Sequence, residues 1–147
     1  MNTSRIEILR KDRLDDLLSI EAASFSNPWT RDHFISAMKS PHLEIITHCS
    51  GDSVNGYIVL YRIRQILVIA NLAVKASCRR RGMGKKLLEA GLRWGKDNNC
   101  SYSVLDVRES NAEAVRLYEK TGFIIIGSNK DYYQNPVEDS VVMGKMI

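Results

Sequence analysis

The residues best suited to chemistry in this 147-residue chain form a short basic loop with the sequence Arg79-Arg80-Arg81-Gly82-Met83-Gly84. The two glycines carry no side chain, so backbone N–H groups can approach a bound anion, and the N-terminus of a following helix adds partial positive charge. The three arginines place formal charge around the same anion. An apolar run at 66–74 precedes the loop, and a helical pattern at 85–94 follows it. A strand, a bare basic loop and a helix N-terminus together predict a pyrophosphate site.

This basic loop differs from two common phosphate-binding motifs. No Gly-Lys-Ser/Thr follows at the spacing of a P-loop. The dinucleotide fingerprint needs three glycines, whereas this loop has two, and its basic residues come before them. A solvated turn with surface arginines is the alternative interpretation, but the predicted strand and helix stand on the sides that phosphate binding requires.

A second group of polar residues lies on one predicted helix in the C-terminal third of the chain. Ser110 and Glu113 have the spacing of a capping box, which predicts that Ser110 caps this helix, and Gly122 predicts its end. Asn111 and Tyr118 are seven residues apart, so two helical turns place them on one face. This arrangement favours a ligand-facing surface, whereas the alternative is a helix-start Asn and a half-buried packing Tyr.

The elements that must position these residues follow from hydrophobic periodicity and from turn signals. We expect strands at 5–10, 43–49, 54–63, 66–74, 102–107, 123–126 and 141–147. We expect helices at 14–25, between Thr30 and Pro41, from the basic loop to about 98–99, and from Ser110 to Gly122. This order predicts an α/β fold with one domain over residues 1–147, in which helices cover a mixed sheet and the basic loop follows the central strand.

The composition is that of an ordinary globular protein, with 44% hydrophobic and 26% charged residues. The net charge of +4 suits an anionic cofactor or a ribosome-associated substrate, but it is too small to predict nucleic-acid binding by itself. Apolar stretches fall short of a membrane span, and the N-terminal residues lack a signal-peptide core. The three cysteines show no paired or metal-ligand spacing. We therefore expect a cytoplasmic protein without a metal or a membrane partner.

The pattern Arg79-x-x-Gly82-x-Gly84 is similar to the acetyl-CoA loop of the GNAT N-acetyltransferases. The segment VRESNAEAVRLYEKTGF at 107–123 resembles the matching helix of the RimI-type branch, whose members acetylate the N-terminal alanine of a small-subunit ribosomal protein. The segments FSNPWT at 25–30 and NLAV at 71–74 also fit this branch, as do Tyr132-Tyr133 and Glu138-Asp139. The resemblance covers nearly the whole chain.

The resemblance implies a GNAT-type fold, with a mixed, mostly antiparallel sheet flanked by about four helices. Two central strands are expected to splay apart and admit the pantetheine arm of acetyl-CoA, which is the implied co-substrate. The residues implied to contact acetyl-CoA are Leu72, Ala73, Val74, Arg79, Arg80, Arg81, Gly82, Met83, Gly84, Lys85 and Asn111.

The resemblance also implies two catalytic residues, Tyr118 as the acid and Asp106 as the base. A phenol has an ordinary pKa of about 10, so Tyr118 can donate a proton at neutral pH. RimI-type enzymes usually carry Glu at the base position, and the shorter Asp106 is expected to reach the amine through a water. The alternatives are a packing role for Tyr118 and a loop-capping role for Asp106.

The substrate amine decides how strong a base is needed. An α-amine with a pKa near 7.8 is roughly one-quarter neutral at pH 7.4, whereas a lysine near 10.4 is only about one-thousandth neutral. The difference in deprotonation cost is about 3.5 kcal/mol. A weak or water-relayed base therefore favours an N-terminal substrate, which we expect to be attacked directly in a ternary complex.

Four aromatic residues and one acid are candidates for the peptide site, namely Phe25, Trp29, Tyr132, Tyr133 and Glu138, with Asp139 as an alternative acid. The expected partner is the N-terminal peptide of a ribosomal protein, and the expected state is a monomer or weak dimer. Other hypotheses are an acetyltransferase for a small-molecule amine or lysine, and a CoA-binding module without catalysis. A nucleic-acid site at the arginines is disfavoured because no aromatic residues interleave them.

Overall fold

A computed structural model describes residues 4–147. One seven-stranded sheet has the strand order β1-β2-β3-β4-β5-β7-β6. The strands are β1 (Ser4–Ile8), β2 (Leu43–Ser50), β3 (Ser53–Ile63), β4 (Ile66–Val74), β5 (Tyr102–Arg108), β6 (Ile124–Tyr133) and β7 (Glu138–Met146). The helices are α1 (Leu14–Ser24), α2 (Arg31–Met38), α3 (Met83–Asp97) and α4 (Ala112–Lys120), with short 3-10 turns at Lys11–Arg13 and Ala76–Cys78. The predicted fold class and element order are confirmed.

Two hydrophobic cores lie on opposite faces of this sheet. Alternation along β3 supplies both cores, since Ile58 and Leu60 face one side while Tyr57 and Val59 face the other. Helices α3 and α4 cover the first side, and α1 and α2 cover the second. β3 is therefore a central strand, buried on both faces.

The two central strands separate halfway along their length, as expected. Within residues 4–147, β4 and β5 form the only parallel strand pair, and their short register joins Ile66–Ile69 to Tyr102–Leu105. On the other side of β4, Leu60 pairs with Ile69 and Val59 pairs with Asn71, so Ala70 is the extra residue of a β-bulge. The bulge coincides with the last β4–β5 pair. Beyond it, β4 continues to Val74 without β5 as a partner.

The structure corrects the predicted start of α4 and the lengths of the last two strands. Asn111, not Ser110, caps α4, because the Asn111 side-chain oxygen accepts a 3.1 Å hydrogen bond from the N–H of Ala114. β6 extends to Tyr133 instead of ending at 126, and β7 begins at Glu138 rather than 141. β6 is the edge strand and nearly all of its residues are exposed, so its sequence lacks the apolar alternation on which the prediction depended.

Candidate active site

The basic loop joins β4 to the N-terminus of α3. Gly82 is the residue before the helix and has φ of 79°, a left-handed conformation that glycine adopts without a steric penalty. Gly82 offers no side-chain cap, so the first N–H groups of α3 are open to a ligand. The Arg79 guanidinium donates a 3.0 Å hydrogen bond to the carbonyl of Val74, which ties the loop back to the end of β4.

A first cavity of about 360 Å³ opens between this loop, the end of β4 and α4. Its lining includes every residue predicted to contact acetyl-CoA except Arg81. The predicted residues in the lining are Leu72, Ala73, Val74, Arg79, Arg80, Gly82, Met83, Gly84, Lys85 and Asn111. The cavity therefore combines an uncapped helix N-terminus with basic side chains and the splayed part of β4.

A second cavity of about 250 Å³ adjoins the first and lies between the separated ends of β4 and β5. Of the predicted peptide-binding residues, Phe25, Trp29 and Tyr133 line it. Tyr132 lies outside the lining and is 52% exposed. Glu138 also lies outside, where its carboxylate accepts hydrogen bonds from Arg108 and from the N–H of Ser110. Asp139 accepts a hydrogen bond from the N–H of Asp131.

The two cavities share one wall, and Tyr118 belongs to it. Six residues line both cavities, namely Ser24, Phe25, Leu72, Asn111, Ala114 and Tyr118. The tyrosine is only 7% exposed and packs edge-on against Phe123. Burial raises the pKa of its hydroxyl above the ordinary value, because the charged phenolate would lose its solvation. Tyr118 therefore keeps its proton at neutral pH.

Asp106 lies on β5 and lines the second cavity. Its Oδ1 accepts hydrogen bonds from the Ser140 hydroxyl at 2.8 Å and from the Asn129 side-chain amide at 3.1 Å. Among the described residues, these are the hydrogen bonds that the carboxylate makes. Oδ2 is therefore the oxygen able to accept a proton.

Sequence reasoning missed Glu21, a carboxylate that lines the second cavity and is 1% exposed. It accepts hydrogen bonds from the Tyr57 hydroxyl, the Asn71 side-chain amide and the backbone N–H of Trp29. A signal was present, since Glu21 stands four residues after Leu17 on the apolar stripe of α1. A charged residue on a buried stripe indicates a specific polar partner.

Arg108 was missed as well, and it carries a hydrogen-bond network over the second cavity. Its guanidinium donates to Glu138 at 3.1 Å, to the carbonyl of Gln134 at 2.7 Å and to the hydroxyl of Ser26 at 3.1 Å. It also stacks 4.6 Å from the centre of the Tyr133 ring. These contacts connect the segment between α1 and α2 to the turn between β6 and β7.

Two further findings concern metals and membranes. Residues 4–147 contain no group of three or more His, Cys, Asp or Glu side chains placed to hold a metal ion. Within the same residues, every helix is too short or too polar to cross a membrane.

The chain is similar to known proteins in both sequence and structure. A sequence model described as the acetyltransferase (GNAT) family matches residues 14–123, which include both groups of polar residues found in the sequence. The chain belongs to the GNAT acetyltransferase family and is an acetyl-CoA-dependent N-acetyltransferase.

Similar proteins include one relative by sequence and two by structure. The [ribosomal protein bS18]-alanine N-acetyltransferase of Escherichia coli K12 is 29% identical over 150 residues, which covers 97% of this chain and 96% of the relative. The crystal structure of the ribosomal-protein-S18-alanine N-acetyltransferase from Escherichia coli has a TM-score of 0.89 at 24% identity, covering 99% of this chain and 94% of that chain. Arabidopsis thaliana NAA60 in complex with acetyl-CoA has a TM-score of 0.87 at 17% identity, covering 99% and 100%.

Proposed function

We propose that this enzyme transfers the acetyl group of acetyl-CoA to the N-terminal α-amine of a protein, and that its substrate is the N-terminal alanine of a small-subunit ribosomal protein. The observation that carries the proposal is the shared wall of the two cavities, which contains Tyr118. A thioester entering through one cavity and an amine entering through the other would meet at this buried hydroxyl. The name of the Escherichia coli relative supports the ribosomal substrate.

The first cavity fits the chemistry of a CoA diphosphate and its pantetheine arm. The uncapped N-terminus of α3 presents backbone N–H groups, and Arg80 and Lys85 add positive charge in the same lining. Residues 72–74 of β4 have left β5, so amide groups on that edge can bind the amides of pantetheine. Acetyl-CoA would supply the activated acetyl group as a thioester.

Tyr118 is the proposed general acid. In the reaction, a bond forms between the amine nitrogen and the acetyl carbon, the bond from that carbon to sulfur breaks, and the departing thiolate takes a proton. The raised pKa keeps the tyrosine hydroxyl protonated, so it can donate to the sulfur as charge develops. Its presence in both linings supports this role, because a donor there would lie beside both reactants.

Asp106 is the proposed base, acting on the amine in the second cavity through a water. The hydrogen bonds from Ser140 and Asn129 fix the orientation of its carboxylate through Oδ1. Oδ2 then takes the proton released by the amine. An α-amine is about 2.6 pKa units easier to deprotonate than a lysine, so this short side chain suits an N-terminal substrate.

The test compares three amines with the purified enzyme and acetyl-CoA. One peptide begins with a free Ala-Arg, a matched peptide carries a blocked N-terminus and one internal lysine, and the third amine is a polyamine. The free alanine peptide is expected to give a kcat/KM at least about 10²-fold above the other two, because its amine is far more often neutral. A higher kcat/KM for the blocked peptide would reject the N-terminal substrate, and a higher value for the polyamine would indicate a small-molecule enzyme.

A further inference from the structure

Glu21 is a buried carboxylate that the proposed chemistry does not use. We infer that it is a positioning residue that holds the peptide side of the active site against the splayed cofactor strand. This inference rests on the proposed function, since it assigns the second cavity to the amine substrate. It follows from the hydrogen bonds of Glu21, its burial and the elements that its partners belong to.

The hydrogen bonds of Glu21 occupy both of its oxygens. Oε1 accepts from the Tyr57 hydroxyl and, at 2.9 Å, from the Asn71 side-chain amide. Oε2 accepts from the backbone N–H of Trp29 at 2.9 Å and from the same Asn71 amide at 3.2 Å. Three donor groups of this chain therefore occupy both oxygens of the carboxylate, and the Asn71 amide is shared between the two oxygens.

Burial makes these hydrogen bonds obligatory. Glu21 is 1% exposed, and none of the salt bridges among residues 4–147 includes it. A buried carboxylate without a cation is stable only if hydrogen bonds replace its solvation. The partners of Glu21 are therefore constrained to positions from which they can donate hydrogen bonds to its carboxylate.

Glu21 and Asp106 both line the second cavity, but they differ in how many of their oxygens accept hydrogen bonds. Asp106 uses only Oδ1 for hydrogen bonds within the described chain, whereas Glu21 uses both oxygens. Oδ2 of Asp106 has no donor within the described chain, so it is the carboxylate oxygen better placed to take a proton from the amine. The geometry therefore favours Asp106 as the base and Glu21 as a support.

The three partners of Glu21 come from the elements that must be held in register. Trp29 lines the second cavity and directly precedes Thr30, the cap of α2. Asn71 follows the bulge residue Ala70, where β4 leaves β5. Tyr57 lies opposite Ala73 in the β3–β4 register, and Ala73 lines the first cavity. One carboxylate thus fixes the peptide-binding segment to the strand proposed to hold the thioester. A displacement of about 1 Å between reactants can cost about 10²-fold in rate.

The decisive variant is Glu21→Gln. The glutamine NH2 group faces either donor-only groups, such as the Trp29 N–H, or the Tyr57 hydroxyl, which must then accept instead of donating, so the hydrogen-bond pattern of Glu21 is disrupted in both cases. We expect kcat/KM for the Ala-Arg peptide to fall about 10-fold to 10²-fold, with a higher peptide KM. The KM for acetyl-CoA should stay within about twofold, because the basic loop and the N-terminus of α3 remain unchanged. Glu44→Gln, on β2 and outside both cavities, is the matched control and should leave all constants unchanged.

An exchange variant distinguishes positioning from general destabilisation. Asn71→Asp alone places two carboxylates together and should be at least as slow as Glu21→Gln. The double variant Glu21→Gln with Asn71→Asp restores an amide-to-carboxylate hydrogen bond in the reverse sense, and about a fivefold or greater recovery of kcat/KM is expected. If Glu21→Gln does not fold, Asn71→Leu, which removes only the strand contact, should raise the peptide KM in the same direction.

Several results would overturn the inference. Wild-type kinetics for a folded Glu21→Gln or Asn71→Leu would show that the hydrogen bonds position nothing. A loss of kcat with an unchanged peptide KM, together with loss of the acid limb of the pH–rate profile, would make Glu21 the base. If the wild-type enzyme prefers a polyamine, the proposed function fails, but the same variants can be compared on that amine, so the two failures are distinguishable.

Discussion

The two cavities that meet at Tyr118 are built in different ways. The first takes much of its wall from two short stretches, residues 72–74 and 78–85, and from backbone groups at a helix N-terminus. The second combines side chains from α1, the segment after it, β4, β5 and β6. Its Arg108 network joins residues that are 82 positions apart in sequence, Ser26 and Arg108.

This difference matches the proposed ligands. A diphosphate is the same in every catalytic cycle, and backbone N–H groups bind it without any specific side chain. A peptide N-terminus varies among proteins, so side chains must recognise it. Substitutions that change backbone conformation should therefore weaken ligand binding in the first cavity. Substitutions that disrupt side-chain hydrogen bonds should weaken ligand binding in the second. In the shared wall, a change at Tyr118 should affect kcat without affecting the binding of acetyl-CoA.

The largest effect is expected from Tyr118→Phe, which alters the shared wall. Removing the proposed acid should lower kcat about 10²-fold to 10⁴-fold while the dissociation constant for acetyl-CoA stays unchanged, because the ring still packs against Phe123. Steady-state kinetics and calorimetry measure the two quantities. Tyr61→Phe, on β3 and outside both cavities, is the control. An unchanged kcat would leave Tyr118 a packing residue.

A somewhat smaller effect is expected at Asp106. Asp106→Asn removes the proposed base and should lower kcat about 10-fold to 10²-fold, since part of the α-amine is neutral without help. Asp106→Glu should keep or exceed the wild-type rate, because the longer side chain reaches the amine directly. Asp131→Asn, outside the second cavity, controls for the loss of one negative charge. If Asp106→Asn is as fast as the wild type, the base lies elsewhere.

Gly82→Ala tests the first cavity alone. An alanine at φ of 79° costs roughly 1–2 kcal/mol, which is about a 5-fold to 30-fold rise in the KM for acetyl-CoA if the strain opposes binding. The peptide KM should change little. Gly127→Ala is the matched control, because a side chain there meets no atom within 4 Å and its φ is ordinary. Equal increases in both KM values would mean that the cavities are not independent.

Arg108→Lys tests the second cavity alone. Lysine keeps the charge but loses the planar fork that reaches Glu138, Gln134 and Ser26 together, so the peptide KM should rise about 3-fold to 10-fold. The KM for acetyl-CoA should remain within about twofold. Arg10→Lys, at an exposed ion pair with Asp12, serves as the control. A change confined to the acetyl-CoA KM would contradict the assignment of the cavities.

The smallest change is expected from raising the pH. A group whose pKa is raised by folding keeps its proton beyond its ordinary value, and burial raises the pKa of Tyr118 in this sense. The kcat for the alanine peptide should therefore stay level between about pH 8.5 and pH 10, where an ordinary tyrosine begins to ionise. A decline centred near pH 10 that is absent from Tyr118→Phe would show an unshifted tyrosine.

Local sequence patterns predicted much of the fold and the first cavity. The basic loop, the apolar run of β4 and the helix after the loop are contiguous, so their arrangement needed no knowledge of distant contacts. The splayed strands came from the family resemblance, and the short β4–β5 register confirms them. The prediction that Ser110 caps α4 was wrong for a local reason. Ser110 and Asn111 are neighbours that can each cap a helix, and Asn111 does so.

The second cavity was harder to predict because its contacts span the chain. The partners of Glu21 lie up to 50 positions away, at Asn71. Arg108 gave no periodic signal, since the last residue of a strand can face solvent as readily as a partner. The extension of β6 was missed for a related reason, because an edge strand exposed on both faces carries no hydrophobic alternation. For Glu21, Arg108 and the extension of β6, contacts with residues distant in sequence determine the structure.

Beyond the bulge at Ala70, the unpaired border of β4 has a particular place in the sheet. An unpaired strand border at the periphery of a sheet invites pairing with another molecule and can seed fibres. Here the unpaired border of β4 lies in the middle of the sheet, with the end of α1 on one side and α4 on the other. The unpaired border therefore does not lie at the periphery of the sheet, where another molecule could add a strand to it.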